Sequence, residues 1–324
     1  MYIVTGGAGF IGSAMVKKLN HEGIDKVIIV DNLDSSDKWR NLSHLMFDDY
    51  INKKDFLQLI LNNKINAHDI QGFIHLGACS STTESNAEYM MQNNYYYTKV
   101  MASWALQHNI RFLYASSAAT YGDGQKGFSD DHGQLQNLSP LNVYGYAKHA
   151  FDLWALKNNL LDKITGVKFF NVFGPNEYHK GDMASVVYKA FNQIKEKGIL
   201  KLFKSHHPAF KDGEQKRDFV YIKDCTKILW KLLNHPQAFG IYNLGTGNAR
   251  TWKDLALATF KAMGVKPNIT FVDIPESISA RYQYFTQAEM AKLSALNLDH
   301  TFMSLEDAIA DYVHNHLLHA DPYM

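Results

Sequence analysis

Three tyrosines of this 324-residue chain stand four positions before a lysine: Tyr50/Lys54, Tyr95/Lys99 and Tyr144/Lys148. On a helix that spacing puts both side chains on one face. A phenol beside a cation can hold a phenolate, and a phenolate can take a hydroxyl proton while hydride leaves the same carbon. With 18 tyrosines and 28 lysines, about 1.6 such pairs are expected by chance, so context decides among them. Tyr144 follows a proline turn, Pro140 to Val143, that leads into a helix, and it comes 27 residues after Ser117. Ser117 belongs to the stretch Tyr114–Gly122 at a strand's carboxyl end, where its hydroxyl can bind the substrate oxygen beside the tyrosine. Tyr50 and Tyr95 have no such partner segment; core packing or a helix surface suits them.

A second chemical feature lies at the start of the chain. Thr5-Gly6-Gly7-Ala8-Gly9-Phe10-Ile11-Gly12 falls between an apolar strand and a helix. It reads as GxxGxxG through Gly6, Gly9 and Gly12, and as GxGxxG through Gly7, Gly9 and Gly12. Glycines there permit a tight turn and close approach of a pyrophosphate, which the helix N-terminus then binds. Asp31 ends the next strand, 19 residues after Gly12. Alone it favours a free ribose 2′-hydroxyl and so NAD. Asn32 beside it, with Lys38 and Lys53 downstream, leaves room for the 2′-phosphate of NADP, and the local residues keep both cofactors open.

These residues need a frame. Tyr2–Thr5, Val27–Val30, Phe73–Leu76, Arg111–Ala115 and Val167–Phe170 read as buried strands separated by helix-length segments, the first helix running from Phe10 to about Asn20. Continuous apolar strands alternating with helices predict an α/β fold, a doubly wound parallel (Rossmann) sheet covered on both faces and binding its ligand at the strands' carboxyl ends. After Asn171 the rhythm changes, and Asp218–Ile222 and Gly240–Leu244 read as isolated strands. A dinucleotide-binding domain over 1–170, with returning segments near 218–243 and 283–306, is expected beside a smaller substrate-binding domain over 171–217, 244–282 and 307–324. The stretch Leu305–Leu318 has helical periodicity.

Composition narrows the functions. The net charge is +1 and 46% of residues are hydrophobic, values of a globular protein without the basic footprint of a nucleic-acid or membrane binder. Only Arg40, Arg111, Arg217, Arg250 and Arg281 are arginine, which makes each a candidate for bidentate work on phosphate or carboxylate. Cys79 and Cys225 lie far apart without a CxxC, which fits a reducing, cytoplasmic setting, and Cys79 reads as a small filler rather than a nucleophile. His206-His207 lacks zinc-ligand spacing, so no metal is expected. No secretory leader and no apolar run long enough to span a bilayer is read.

Taken together, Ile3–Ser13, Val30–Leu33, Gly77–Glu84, Tyr114–Gly122, Asn142–Lys148, Phe170–Ser185 with His179-Lys180-Gly181, Arg217–Tyr221, Asn243–Gly247 and Arg281–Gln287 resemble the extended short-chain dehydrogenase/reductases, the family of nucleotide-sugar epimerases and dehydratases. Within it, the Cys79–Glu84 stretch and the His179-Lys180-Gly181 tripeptide resemble the branch that acts on ADP-linked heptoses. The resemblance implies a catalytic set of Ser117, Tyr144 and Lys180. It implies cofactor contacts from Gly6, Gly9, Phe10, Ile11, Gly12, Asp31, Asn32, Lys38, Lys53, the turn Leu76, Gly77, Ala78, Cys79 and Ser80, Asn93, Lys148, Val172 and Lys180. It implies substrate contacts from Asn171, Asp182, Lys189, Phe203, Lys204, Ser205, His206, Arg217 and Tyr282. Asp182 and Lys189 stand where Ser and His are expected in the family.

The implied activity is 6-epimerisation of an ADP-heptose with bound NADP rather than NAD. Hydride leaves C6″ and returns to its other face, with the product destined for the inner core of lipopolysaccharide. A homo-oligomer, a homopentamer by resemblance, is implied. Because one base cannot serve both faces of a carbon, two are implied, Tyr144 and Lys180. A 4-epimerase or 4,6-dehydratase is the nearer rival. The dehydratase is disfavoured because its usual Asp-Glu pair is replaced by Ala118-Ala119. A cofactor-sensing module without activity would need no Ser117, Tyr144 and Lys148 together.

Overall fold

A computed structural model describes residues 1–275 and 282–324. Arg281, and with it the start of the Arg281–Gln287 motif, lies outside the described residues. The chain begins with β1 (Tyr2–Thr5), α1 (Phe10–His21), β2 (Val27–Asp31), β3 (Asp49–Asn52), α2 (Lys53–Leu61) and β4 (Gly72–His75). α3 (Ala87–Met90) continues through a π-helical turn, Met91–Tyr96, into α4 (Tyr97–Gln107). Then come β5 (Arg111–Ser117), α5 (Val143–Lys157), β6 (Ile164–Phe169), β7 (Asn171–Phe173), α6 (Val186–Lys197) and β8 (Leu200–Phe203). β9 (Lys216–Arg217), β10 (Phe219–Tyr221), α7 (Ile222–Asn234), β11 (Gly240–Leu244), β12 (Arg250–Thr251), α8 (Trp252–Ala262) and β13 (Ile269–Val272) follow.

Seven strands form one parallel sheet in the order β11-β6-β5-β4-β1-β2-β3. Its inner strands are apolar on both faces because helices cover both. Ile3 joins Phe73, Phe112 and Met101 in one core, while its neighbour Val4 joins Ala14, Leu19 and Leu229 in the other. The order reverses between β1 and β4, and Thr5 lies opposite His75 there. That reversal leaves a crevice beyond the strands' carboxyl ends.

Two expectations change. Gly240–Leu244 is not isolated: all five residues are buried and pair with Thr165–Phe169, which makes this segment the sheet's edge. Phe219–Tyr221 pairs with Asn171–Phe173 in a separate parallel ribbon, rather than standing alone. The terminal helix is α-helical over Leu305–Tyr312 and π-helical over Val313–Leu317. Among the described residues no helix is long and apolar enough to cross a membrane.

Candidate active site

The turn from β1 into α1 sits at the reversal of strand order. Gly6 has φ +67°, a left-handed backbone that favours glycine, and a Cβ there would stand 2.6 Å from the Gly77 amide nitrogen. A Cβ on Gly12 would overlap the Gly6 carbonyl oxygen. The exits of β1 and β4 and the first turn of α1 therefore approach as closely as backbones can. No side chain caps α1, so its leading N–H groups remain for an anion. A side chain at either glycine would fill the cradle, and its shape and free donors fit a dinucleotide.

A cavity of about 680 Å³ opens over the cradle. It gathers all the residues expected at the cofactor, from Gly6, Gly9, Phe10, Ile11 and Gly12 through Asp31, Asn32, Lys38, Lys53, Leu76 to Ser80 and Asn93 to Lys148, Val172 and Lys180. The acidic residue is already engaged. Asp31 accepts from the Ala8 amide at 2.9 Å, the Asn32 amide at 2.7 Å and Lys38 Nζ at 2.7 Å. Lys53 donates to Asn93 Oδ1 at 2.6 Å, and burial and then Lys38 hold its amine below the usual lysine range. The turn after β4 is braced by Asn94, whose side chain accepts from the Cys79 amide at 2.8 Å and donates to its carbonyl at 2.9 Å.

Ser117, Tyr144 and Lys148 line the same cavity. β5 delivers Ser117, and α5 delivers the other two one turn apart. Asn142 caps α5 by accepting from the Gly145 amide at 2.8 Å. Lys148 Nζ donates to the Ala115 carbonyl at 2.7 Å, and burial pushes its amine down to about 8, with Asp152 opposing. Burial pushes the Tyr144 phenol up, while the neighbouring Ser117 hydroxyl works the other way. One turn beyond Lys148, Asp152 accepts from Tyr114 Oη at 2.9 Å and Ser116 Oγ at 2.7 Å and pairs with Lys168 at 3.0 Å. This network sets α5 in register on β5 and β6. Lys180 enters from another segment, Tyr178–Met183, with its ammonium 5.3 Å from the Phe10 ring centre. Burial lowers its amine, with Glu177 raising it and Lys189 lowering it further. A phenol, a serine hydroxyl and a second lysine thus share one cavity above a dinucleotide cradle.

The other two Tyr/Lys pairs do not line this cavity. Tyr50 donates to the Asp31 carbonyl at 3.1 Å, and Lys99 lies over the Tyr95 ring at 5.1 Å.

The residues expected at the substrate divide. Asn171 lines the cavity. Arg217 is buried between the rings of Tyr282 at 5.4 Å and Trp252 at 5.6 Å, and Trp252 lines the cavity. Phe203 packs edge-on against Tyr282 at 6.1 Å. Arg217 donates to the Lys216 carbonyl at 2.9 Å and to the Gln283 carbonyl, and among the described residues the rest of its fork has no hydrogen-bond partner. Asp182 is exposed and offers only its carbonyl, which accepts from Lys189 at 2.6 Å. Lys204, Ser205 and His206 stand outside the cavity, as do Arg217, Tyr282, Phe203, Asp182 and Lys189, so that Asn171 alone of the nine lines it. Lys204 and His206 pair with exposed Asp273 at 3.2 and 3.6 Å, and the Ser205 amide donates to Asp212 at 2.7 Å. Sequence reasoning missed Thr5, Tyr89, Met183 and Trp252 in the cavity wall. For Trp252 a signal existed, because Thr251 and Asp254 form a capping box that places it at a helix start.

The NAD dependent epimerase/dehydratase family matches residues 2–245, and the chain belongs to that family. Its fold and site go with a nicotinamide cofactor. The chain is 49% identical over 324 residues to the ADP-L-glycero-D-manno-heptose-6-epimerase of Nitratidesulfovibrio vulgaris, covering 100% of both. It is 48% identical over 333 residues to the enzyme of the same name from Fusobacterium nucleatum, again over 100% of both. The crystal structure of Helicobacter pylori ADP-L-glycero-D-manno-heptose-6-epimerase superposes with a TM-score of 0.81 at 29% identity, over 97% of this chain and 95% of that one.

Proposed function

We propose that this chain is an epimerase interconverting the D-glycero and L-glycero forms of ADP-manno-heptose at C6″, with NADP as its resident cofactor. Full-length identity of 49% to relatives of that name supports the substrate. The observation that carries the chemistry is one cavity lined by Ser117, Tyr144 and Lys148 from two elements and by Lys180 from a third. The nicotinamide, when bound, supplies the hydride acceptor and donor. Ser117 holds the reacting oxygen. Tyr144 takes or returns the proton on one face of C6″, and Lys180 does so on the other. Lys148 binds the ribose and its charge favours the tyrosinate. Ala118 and Ala119 supply no acid–base pair for dehydration. Incubation with ADP-D-glycero-D-manno-heptose, followed by NMR of the C6″ centre, tests the reading. An unchanged C6″ centre overturns it.

The choice of NADP rests on the charges around Asp31. Lys38 neutralises that carboxylate, which leaves Lys53 as a further positive charge beside it. Lys53→Ala is expected to weaken NADP binding more than NAD binding, measured by titrating the cofactor-stripped protein. Equal losses, or NAD as the cofactor extracted from native protein, would contradict the preference.

Arg217 is assigned to the substrate diphosphate, because a planar fork suits that anion. Arg217→Lys keeps the charge and loses the fork. It is expected to raise KM for the sugar nucleotide several-fold and leave bound cofactor in place; an unchanged KM would reduce Arg217 to a structural contact. The proposal also includes a cytoplasmic homo-oligomer, with the smaller substrate-binding unit built from residues after 170 and product supplied to lipopolysaccharide core synthesis.

A further inference from the structure

Asn41 lies on the short helical turn Asp37–Leu42 and is 2% exposed. Its Nδ2 donates to the Ala8 carbonyl at 2.9 Å and to the Asn176 carbonyl at 3.1 Å, and lies 3.2 Å from His179 Nδ1. Ala8 is in the glycine turn of the cofactor cradle, and its own N–H goes to Asp31. Asn176 and His179 flank Glu177 in the segment that carries Lys180. One buried amide therefore grips the cradle and the lysine segment at once.

The lysine segment is itself a clasp. Glu177 is fully buried and accepts from the Gly174 amide at 3.2 Å and from Ser185 Oγ at 2.7 Å, which draws the two ends together. Asn176, fully buried with φ +75°, donates to Ser13 Oγ at 2.9 Å on α1. A non-glycine residue held there implies that its surroundings fix it. The clasp is pinned to the cradle at two points, Asn41 to Ala8 and Asn176 to Ser13, with Lys180 between its ends. Asn41 Nδ2 donates to two carbonyls and lies against the His179 ring, and its Oδ1 is buried with no partner among the described residues.

We propose that Asn41 is a positioning residue that couples occupancy of the cofactor cradle to the placement of the Lys180 segment. Dinucleotide settling against the glycine turn fixes the Ala8 peptide, Asn41 then holds the Asn176 and His179 side of the clasp, and Lys180 is held in the cavity more firmly in the loaded protein. The importance of Lys180 to turnover and the choice of NADP are taken from the proposed function; the coupling itself depends on neither.

The test is amide hydrogen exchange of residues 177–184 in the cofactor-stripped full chain, with and without added NADP. Wild type is expected to slow on loading by about fivefold or more, the lower end of ordinary coupling between sites. Asn41→Ala is expected to lose most of that slowing while still binding NADP. Asn176→Gly, which cuts the second pin and suits the positive φ, is expected to lose part of it and guards against misfolding of the first variant. No slowing in wild type, or equal slowing in wild type and Asn41→Ala, overturns the coupling. A Lys180→Met protein of normal rate would instead overturn the role of Lys180 while leaving the exchange result to judge Asn41.

Discussion

Tyr144→Phe and Lys180→Met are each expected to cut turnover by roughly 10²–10⁴-fold, the range for lost general acid–base help. Both should still bind cofactor, because the glycine cradle and the Asp31, Lys38 and Lys53 wall are intact in each. Their losses should be sub-additive in the double variant, since both groups serve one oxidation and its reversal. The same reading fixes the fate of the hydrogen on C6″. Hydride that leaves this carbon and returns to it never meets solvent, so epimerised product made in deuterium oxide should carry essentially no deuterium at C6″. Proton abstraction through an enol at a neighbouring carbon would instead wash label into that carbon. Deuterium at C6″, or a Lys180→Met enzyme with near wild-type turnover, would defeat the two-base reading. The fold and the family would stand.

The glycine turn and the helix that carries Tyr144 and Lys148 were legible because each is written locally. The glycines, the flanking strand and helix, and Asp31 lie within about one strand–helix–strand unit, and Tyr144 and Lys148 lie within one helical turn. The seventh strand was not legible as part of the sheet. Gly240–Leu244 pairs with Thr165–Phe169, some seventy residues earlier, and no local pattern encodes that partner. β3 escaped as well, because an edge strand reading Asp-Tyr-Ile-Asn and only half-buried lacks an apolar run. Lys204, Ser205 and His206 belong to a loop whose shape follows from Asp212 and Asp273, contacts that spacing does not announce. Spacing alone sets Asp31 against a ribose 2′-hydroxyl and Lys38 against a 2′-phosphate. Their contact with one another, which changes the charge that a cofactor meets, appears only once β2 and the following turn are folded. Lys168 looks like any of the other lysines in the sequence, yet it is fully buried.

That buried lysine carries the largest expected effect on stability. Lys168 and Asp152 are both fully buried and 3.0 Å apart, and Lys168 also donates to Thr120 Oγ1 and stands over the Tyr121 ring at 4.8 Å. Lys168→Met leaves the Asp152 carboxylate without its counter-charge in the interior. Breaking one side of such a pair costs about 3–5 kcal/mol, read as a lower urea midpoint at unchanged slope. Asp152→Asn in the same chain removes the orphaned charge and keeps an acceptor for Tyr114 or Ser116, so the double variant should recover much of the loss. The pair also reaches the chemistry. Asp152 is on α5, one turn beyond Lys148, and Thr120 Oγ1 donates to the Ser117 carbonyl at 2.8 Å. Loss of the pair loosens α5, which carries Tyr144, against β5, which ends in Ser117. Folded Lys168→Met protein should therefore show a larger fall in kcat than rise in KM. A Lys168→Met protein as stable as wild type, or a double variant no better than the single one, would mean that this pair does not anchor the catalytic helix.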